Sequence, residues 1–92
     1  MPLQARLTIT GRVQGVGYRD WALTTGRRLG LSGWVRNRGD GSVELVISGP
    51  DAVVQDMLKA CTQGPEMAQV HKIDILREDE LPAAGFRQQA TL

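Results

Sequence analysis

The sequence predicts an α+β sandwich in which two helices cover one face of an antiparallel sheet. Three observations support this fold class. Apolar and polar residues alternate with a period of two in several short segments, as in half-buried strands. Two other segments place apolar residues three to four positions apart, which is the spacing of an amphipathic helix. Glycine and proline fall between these segments and separate the elements.

The first strand and the first helix flank a glycine-rich segment. Strict alternation over residues 3–12 predicts the strand. Three glycines within residues 11–17 favour a loop whose backbone approaches another group closely. A helix is expected over residues 19–29, and Gly30 stands where a helix C-terminal glycine would. Gly26 weakens this helix, and the sequence offers no reason for its presence.

A hairpin and a second helix follow. Residues 31–37 and 42–48 predict two strands, and the turn-forming residues 38–41 join them. Asp51 is expected to cap a helix that has one apolar face and ends by Gly64.

The last third of the chain predicts a strand at residues 69–77, an acidic connection at residues 78–80 and a short strand at residues 86–91. The complete order is βαββαβ with a short C-terminal strand. This order matches a ferredoxin-like α/β sandwich with an antiparallel sheet and two helices on one face.

Length and composition indicate one domain over residues 1–92. A net charge of +1 argues against a broad nucleic-acid footprint. The sequence has neither a run of about 18 apolar residues nor a secretory signal, so we expect a cytoplasmic protein with no membrane contact. Cys61 is the only cysteine and is expected to be a buried, inert thiol.

Positive charge is concentrated in the first half of the chain. Residues 1–46 contain seven arginines and three carboxylates, whereas the remainder contains four basic and seven acidic residues. This distribution favours a small anion in the first half.

The loop before the first helix is the best candidate for that anion. Consecutive backbone N–H groups at a helix N-terminus can surround an anion, and Gly15 and Gly17 remove side chains that would block them. Arg19 adds a planar fork that matches two phosphate oxygens, although a positive charge is unfavourable at this end of the helix dipole. The loop lacks the third glycine of a dinucleotide motif and the Gly-Lys-Ser/Thr of a P-loop.

Two segments resemble the signatures of the acylphosphatase family. The first is GRVQGVGYR at residues 11–19, and the second is GWVRN at residues 33–37, which continues through GSVE at residues 41–44 to Gly49. The resemblance covers the chain from the first strand through the second helix. It implies hydrolysis of the carboxyl–phosphate bond of acyl phosphates, without a metal or a cofactor.

The resemblance also implies roles for individual residues. The loop would bind the substrate phosphate through backbone N–H groups and the Arg19 side chain, and Asn37 would orient the attacking water. Arg19 and Asn37 are thus the expected catalytic residues, and inorganic phosphate or sulfate is the expected bound anion. The expected phosphate-binding residues are Gln14, Gly15, Val16, Gly17, Tyr18 and Arg19.

Several alternatives remain open at this point. An RNA-binding module of similar fold would need more aromatic residues on the sheet than Trp34 and Phe86. A domain of a hydrogenase maturation factor would continue into cysteine-rich zinc segments, whereas this sequence has one cysteine, so we expect a stand-alone enzyme. Nothing in the sequence suggests an obligate assembly, and we expect a monomer. A regulatory domain that binds phosphate without turnover is the remaining alternative. The motifs leave the physiological acyl phosphate and the roles of Asp20 and His71 undetermined.

Overall fold

A computed structural model of the chain describes residues 2–78 and 85–91. The predicted order of elements is confirmed, and most boundaries agree within two residues. In chain order the elements are β1 (Pro2–Arg12), α1 (Tyr18–Arg28), β2 (Ser32–Asn37), β3 (Val43–Pro50), α2 (Asp51–Cys61), β4 (Gln69–Glu78) and β5 (Phe86–Gln88).

The five strands form one sheet in the order β4-β1-β3-β2-β5. β1 pairs antiparallel with β3 and β4, and β2 pairs antiparallel with β3. The predicted antiparallel pairing is thus confirmed for β4, β1, β3 and β2, whereas β5 pairs parallel with β2, which makes the sheet mixed. The reason is directional: β4 runs opposite to β1, β2 runs along β1, and β5 reverses the direction of β4.

The junction between β3 and α2 differs from the prediction that Asp51 caps the helix. β3 continues through Pro50, which is extended at φ −57° and ψ 142° and occupies the position before the helix. Asp51 is therefore the first helical residue and not its cap, and no side chain caps this helix. A proline suits this position because the N–H that it lacks would have no partner inside the helix.

The last strand is shorter than predicted. β5 has three residues, Phe86–Gln88, where the sequence predicted a strand over residues 86–91. Residues 89–91 are described but are not in a strand. Asp79 and Glu80, which belong to the predicted acidic connection, lie outside the described residues.

The core lies between the helices and the sheet face that they cover. In residues 3–10 of β1 and 43–48 of β3, alternate residues are apolar and lie on this face, and the residues between them, on the other face, are polar except for Val46. The central strands contribute most of the buried side chains, and the helices contribute a stripe that packs over them. The buried apolar residues of β1, β3 and α2 are Ala5, Leu7, Ile9, Val43, Leu45, Val46, Ile47, Val54, Met57 and Cys61. Among those of the two strands, Val46 lies on the face of the sheet that the helices do not cover.

The structure explains why position 26 of α1 is a glycine. A Cβ atom at this position would lie 2.8–3.0 Å from carbon atoms of the Phe86 ring. Only glycine therefore lets α1 approach β5 this closely, and the helix tolerates its low propensity in exchange for that contact. Gly30 has φ +74° just beyond the end of α1, which confirms the predicted C-terminal glycine.

Two expectations about burial and membranes can also be compared with the described residues. Cys61 is buried, and burial raises the pKa of its thiol to about 12, as expected for an inert cysteine. α1 and α2 have 11 residues each. Within the described ranges, neither helix is long and apolar enough to cross a bilayer.

Candidate active site

A small cavity opens where the loop after β1, the start of α1 and the end of β2 meet. Its volume is about 190 Å³. The sheet brings Asn37 to the loop because β1 and β2 both pair with β3, which places their ends on the same side of the molecule. The residues that line the cavity are Val13, Gln14, Gly15, Gly17, Tyr18, Arg19, Asp20 and Asn37.

The curl of the loop depends on two glycines. Gly15 and Gly17 have φ values of +74° and +81°, in the left-handed region that other residues rarely adopt. A Cβ atom at either position would meet no atom within 4 Å. The requirement for glycine is therefore conformational, because the space around both positions is open.

The loop ends by presenting free backbone donors. Gly17 precedes α1 and has no side chain to cap it, and the first N–H to donate to Gly17 O is that of Trp21, at 3.0 Å. The N–H groups of Tyr18, Arg19 and Asp20 come before this bond and have no acceptor within the helix. Together with the helix dipole, they make the cavity favourable for an anion.

Arg19 lies half-buried in the cavity wall. Among the described residues, no carboxylate forms an ion pair with its guanidinium and no acceptor takes a hydrogen bond from it. The neighbouring carboxylate of Asp20 accepts a hydrogen bond from Gln88 Nε2 at 2.7 Å instead. Asp20 is exposed to solvent and also lines the cavity.

Gln14 joins the loop to the β2–β3 turn. Its Nε2 atom donates to Arg38 O at 2.8 Å and to Ser42 O at 2.9 Å. Asn37 directly precedes Arg38, so these two bonds fix the distance between the loop and Asn37. Within the β2–β3 turn, Asp40 Oδ1 accepts hydrogen bonds from the Ser42 N–H and hydroxyl, which stabilises the turn. Motif reasoning had assigned Gln14 only a backbone role.

Tyr18 anchors the start of α1 in the core. Its hydroxyl donates to Cys61 O at 2.8 Å, and its ring lies 5.3 Å from that of Trp21. Burial raises the pKa of Tyr18 above its ordinary value, so the phenol stays protonated. Of this residue only the backbone N–H is available to a ligand.

Val16 differs from the other predicted loop residues. Its side chain packs against the hydrophobic core, and the residue is not among those that line the cavity. The predicted residues Gln14, Gly15, Gly17 and Tyr18 do line it, together with Arg19 and Asn37. Val13 and Asp20 also contribute to the cavity wall, although the sequence had not assigned them to the site.

Three arginines surround one glutamate on the face of the sheet that the helices do not cover. Glu44 is buried on this face, where it pairs with Arg6, with Arg36 Nε at 2.7 Å and with Arg38 Nη1 at 3.3 Å. Burial opposes ionisation, but the hydrogen bonds from Arg36 and Arg6 outweigh it and hold the pKa of Glu44 below its ordinary value. We call these four residues the Glu44 cluster. The cross-strand pair of Arg36 and Glu44 could have been found from the hairpin register.

Trp34 belongs to the same face of the sheet. The guanidinium carbons of Arg36 and Arg6 lie 4.8 Å and 5.6 Å from its ring centroid. Both guanidinium groups are thus close enough to the Trp34 ring for cation–π contacts. His71 is exposed in β4, at the far edge of the sheet, and does not line the cavity. Within residues 2–78 and 85–91, no three His, Cys, Asp or Glu side chains form a group suited to a metal ion.

Comparison with known proteins agrees with both the fold and the sequence motifs. The family model described as Acylphosphatase matches residues 5–88. An acylphosphatase of Azorhizobium caulinodans is 52% identical over 87 residues, covering 94% of each chain. One from Acidiphilium cryptum is 48% identical over 87 residues, covering 92% of this chain and 93% of the relative. The crystal structure of acylphosphatase from Bacillus subtilis superposes with a TM-score of 0.90 at 34% identity, over 95% of this chain and 98% of that one.

Proposed function

This chain belongs to the acylphosphatase family, and we propose that residues 14–19 bind the phosphoryl group of an acyl phosphate while Asn37 orients the attacking water. The reaction is hydrolysis of the carboxyl–phosphate bond to a carboxylate and inorganic phosphate. The observation that supports the proposal most strongly is the cavity in which Arg19, the first N–H groups of α1 and Asn37 meet. No observation favours the alternative of a regulatory domain without turnover.

Phosphate binding is supported by the number and kind of donors without partners. The first N–H groups of α1 have no acceptor in the helix, and the guanidinium of Arg19 has none within the described part of the chain. The cavity volume of about 190 Å³ is several times the ~30 Å³ that one water occupies in the liquid. It therefore has room for a phosphoryl group, a water and the start of an acyl chain.

The chemistry requires little from the protein beyond charge stabilisation and alignment. An acyl phosphate is an activated mixed anhydride, and its leaving group is a carboxylate that departs without a strong general acid. The transition state spreads charge over the phosphoryl oxygens, where Arg19 and the loop N–H groups would stabilise it. Preorganised donors in a small cavity cost no reorganisation when the reaction occurs.

Asn37 would hold the attacking water. It stands at the end of β2 and lines the cavity opposite the loop, and its amide can accept from water and donate to a substrate oxygen. An amide does not titrate, so we assign the water's proton to an oxygen of the substrate phosphate. A pH–rate profile governed by an enzyme group near neutrality would contradict this assignment.

We propose that the enzyme acts as a monomer of one domain in the cytoplasm, where a reducing environment suits the single buried thiol of Cys61. The substrates would be small acyl phosphates, since the cavity is small and open to solvent at its rim. Inorganic phosphate, as the product, should occupy the same position as the transferred group.

Steady-state hydrolysis of acetyl phosphate tests the assigned roles. Arg19→Gln and Asn37→Ala should each lower kcat/KM by on the order of 10²-fold or more, as expected when a transition-state donor is removed. The matched control is Arg28→Gln, which makes the same charge change in an exposed residue of the last turn of the same helix. Circular dichroism should remain native for all three. Retention of full kcat/KM by Arg19→Gln or Asn37→Ala would refute the corresponding role.

A further inference from the structure

Asp20 occupies a position at which a carboxylate is expected to harm phosphate binding. It follows Arg19 in the first turn of α1 and lines the same cavity. A negative charge is favourable at this end of the helix dipole, but it repels a phosphate anion and attracts the guanidinium that should bind it. If this carboxylate turned toward Arg19, it would partly neutralise the guanidinium.

The structure provides a partner from the other end of the chain. Gln88 Nε2 donates to Asp20 Oδ1 at 2.7 Å, across a separation of 68 residues. No ion pair between Arg19 and Asp20 is present among the described residues. The Asp20 carboxylate is thus directed toward β5, and within residues 2–78 and 85–91 no acid pairs with the Arg19 guanidinium.

β5 is fixed firmly enough to serve this purpose. It pairs parallel with β2, with Gln88 opposite Val35, and the Gln89 N–H donates to Val35 O at 2.8 Å. On the other side, Arg27 Nε donates to Phe86 O at 3.0 Å, and the Phe86 ring packs closely on the backbone of α1 at Gly26. The strand that presents Gln88 is therefore attached both to the sheet and to the helix that begins with Arg19 and Asp20.

We propose that Gln88 is a positioning residue that holds the carboxylate of Asp20 against β5 and so keeps Arg19 free for the phosphoryl group. The inference rests on the proposed function, since it takes Arg19 as the phosphate ligand. Without the amide of Gln88, the Asp20 carboxylate can turn to Arg19, and substrate must then displace an ion pair before it binds. Binding should weaken, whereas the chemical step, once substrate is bound, should be unchanged.

A double-mutant cycle with acetyl phosphate as substrate tests this role. Gln88→Met removes the donor and keeps the length of the side chain. It should raise KM and the inhibition constant of inorganic phosphate by up to about fivefold, the upper end of the range expected for an exposed ion pair, with kcat unchanged. Asp20→Asn should not raise KM, and in the Asp20→Asn background Gln88→Met should have no further effect on KM.

The control for the strand is Gln89→Met, which makes the same chemical change one residue along and retains the N–H that donates to Val35. It should leave KM unchanged, and thermal unfolding should show that all variants are folded. The inference is overturned if folded Gln88→Met has the wild-type KM, or if it raises KM equally in the Asp20→Asn background. Failure of the proposed function is distinguishable, because Arg19→Gln would then retain its activity.

Discussion

Arginines on the two sides of the sheet are used in opposite ways. On the open face, Arg6, Arg36 and Arg38 surround Glu44, whose side chain is 4% exposed, and their charges are partly neutralised by it. At the start of α1, Arg19 has no acid partner among the described residues and lies beside free backbone donors. The same side chain is structural where a carboxylate meets it and available to a ligand where none does.

This difference shows why counting charges locates a site poorly. The first half of the chain contains seven arginines and three carboxylates, an excess of positive charge that favours a bound anion there. Three of those arginines are engaged by Glu44, on the face away from the loop. The anion site that we propose would depend on one arginine and on backbone geometry, and the excess charge elsewhere would contribute only to the long-range field.

Substitutions in the loop before α1 should lower kcat/KM more than substitutions in the Glu44 cluster. Gly17→Ala places a Cβ on a residue at φ +81°, which costs about 1–2 kcal/mol for a non-glycine residue unless the backbone moves. A loop that relaxes to avoid this strain misdirects the N–H groups, so kcat/KM should fall by about 10-fold or more. Acetyl phosphate kinetics and thermal unfolding measure the two effects.

Gly30→Ala is the matched control for this substitution. Gly30 has a similar φ of +74° and open space around its Cβ position, but it lies beyond the other end of α1. It should lose comparable stability and keep its activity. Equal losses of activity in Gly17→Ala and Gly30→Ala would mean that the shape of the loop has no special role in catalysis.

The Glu44 cluster should affect stability more than activity. Glu44→Gln removes the charge that three arginines share, and the free energy of unfolding at pH 7 should fall by about 1–3 kcal/mol. The folded-state pKa of Glu44 lies below its ordinary value of 4.5. Its contribution is therefore fully present above that value and is lost as the pH falls through the folded-state pKa. Urea unfolding at several pH values measures this dependence.

Wild type and Glu44→Gln should thus converge in stability near the acidic end of the titration, while kcat/KM at neutral pH should differ by less than about threefold. If Glu44→Gln lost as much activity as Arg19→Gln, the Glu44 cluster would have a role in catalysis and the two groups of arginines would not differ in function. A constant difference in stability across the whole pH range would show that the cluster acts through packing and not through charge.

The elements of the fold were predictable because their signals are local. Alternation in residues 3–12 and 42–48 required only a strand with one buried face. The parallel pairing of β5 and the start of α2 at Asp51 were not predictable in this way. Strand direction depends on where the preceding strand ends, and the helix start depends on how far β3 extends along β1. The tight contact of Gly26 with Phe86 is likewise tertiary.

The site divides in the same manner. The motifs located the loop and Asn37, because glycine spacing and a strand end are visible in the sequence. The double hydrogen bond from Gln14 to the turn and the bond from Gln88 to Asp20 join segments 24 or more residues apart. No periodicity encodes such contacts. They nevertheless determine how the predicted residues are held, since each fixes a cavity residue from outside the cavity.

Titration of ¹⁵N-labelled protein with inorganic phosphate, followed by NMR, tests most directly whether the anion binds the loop and not the other arginines. We expect saturable shifts in the backbone amides of residues 14–20 and the Arg19 side chain, with little change in the Glu44 cluster. In Arg19→Gln the affinity should fall while the pattern of amide shifts remains. The largest shifts at Arg6, Arg36 and Arg38, with an unchanged loop, would contradict the account.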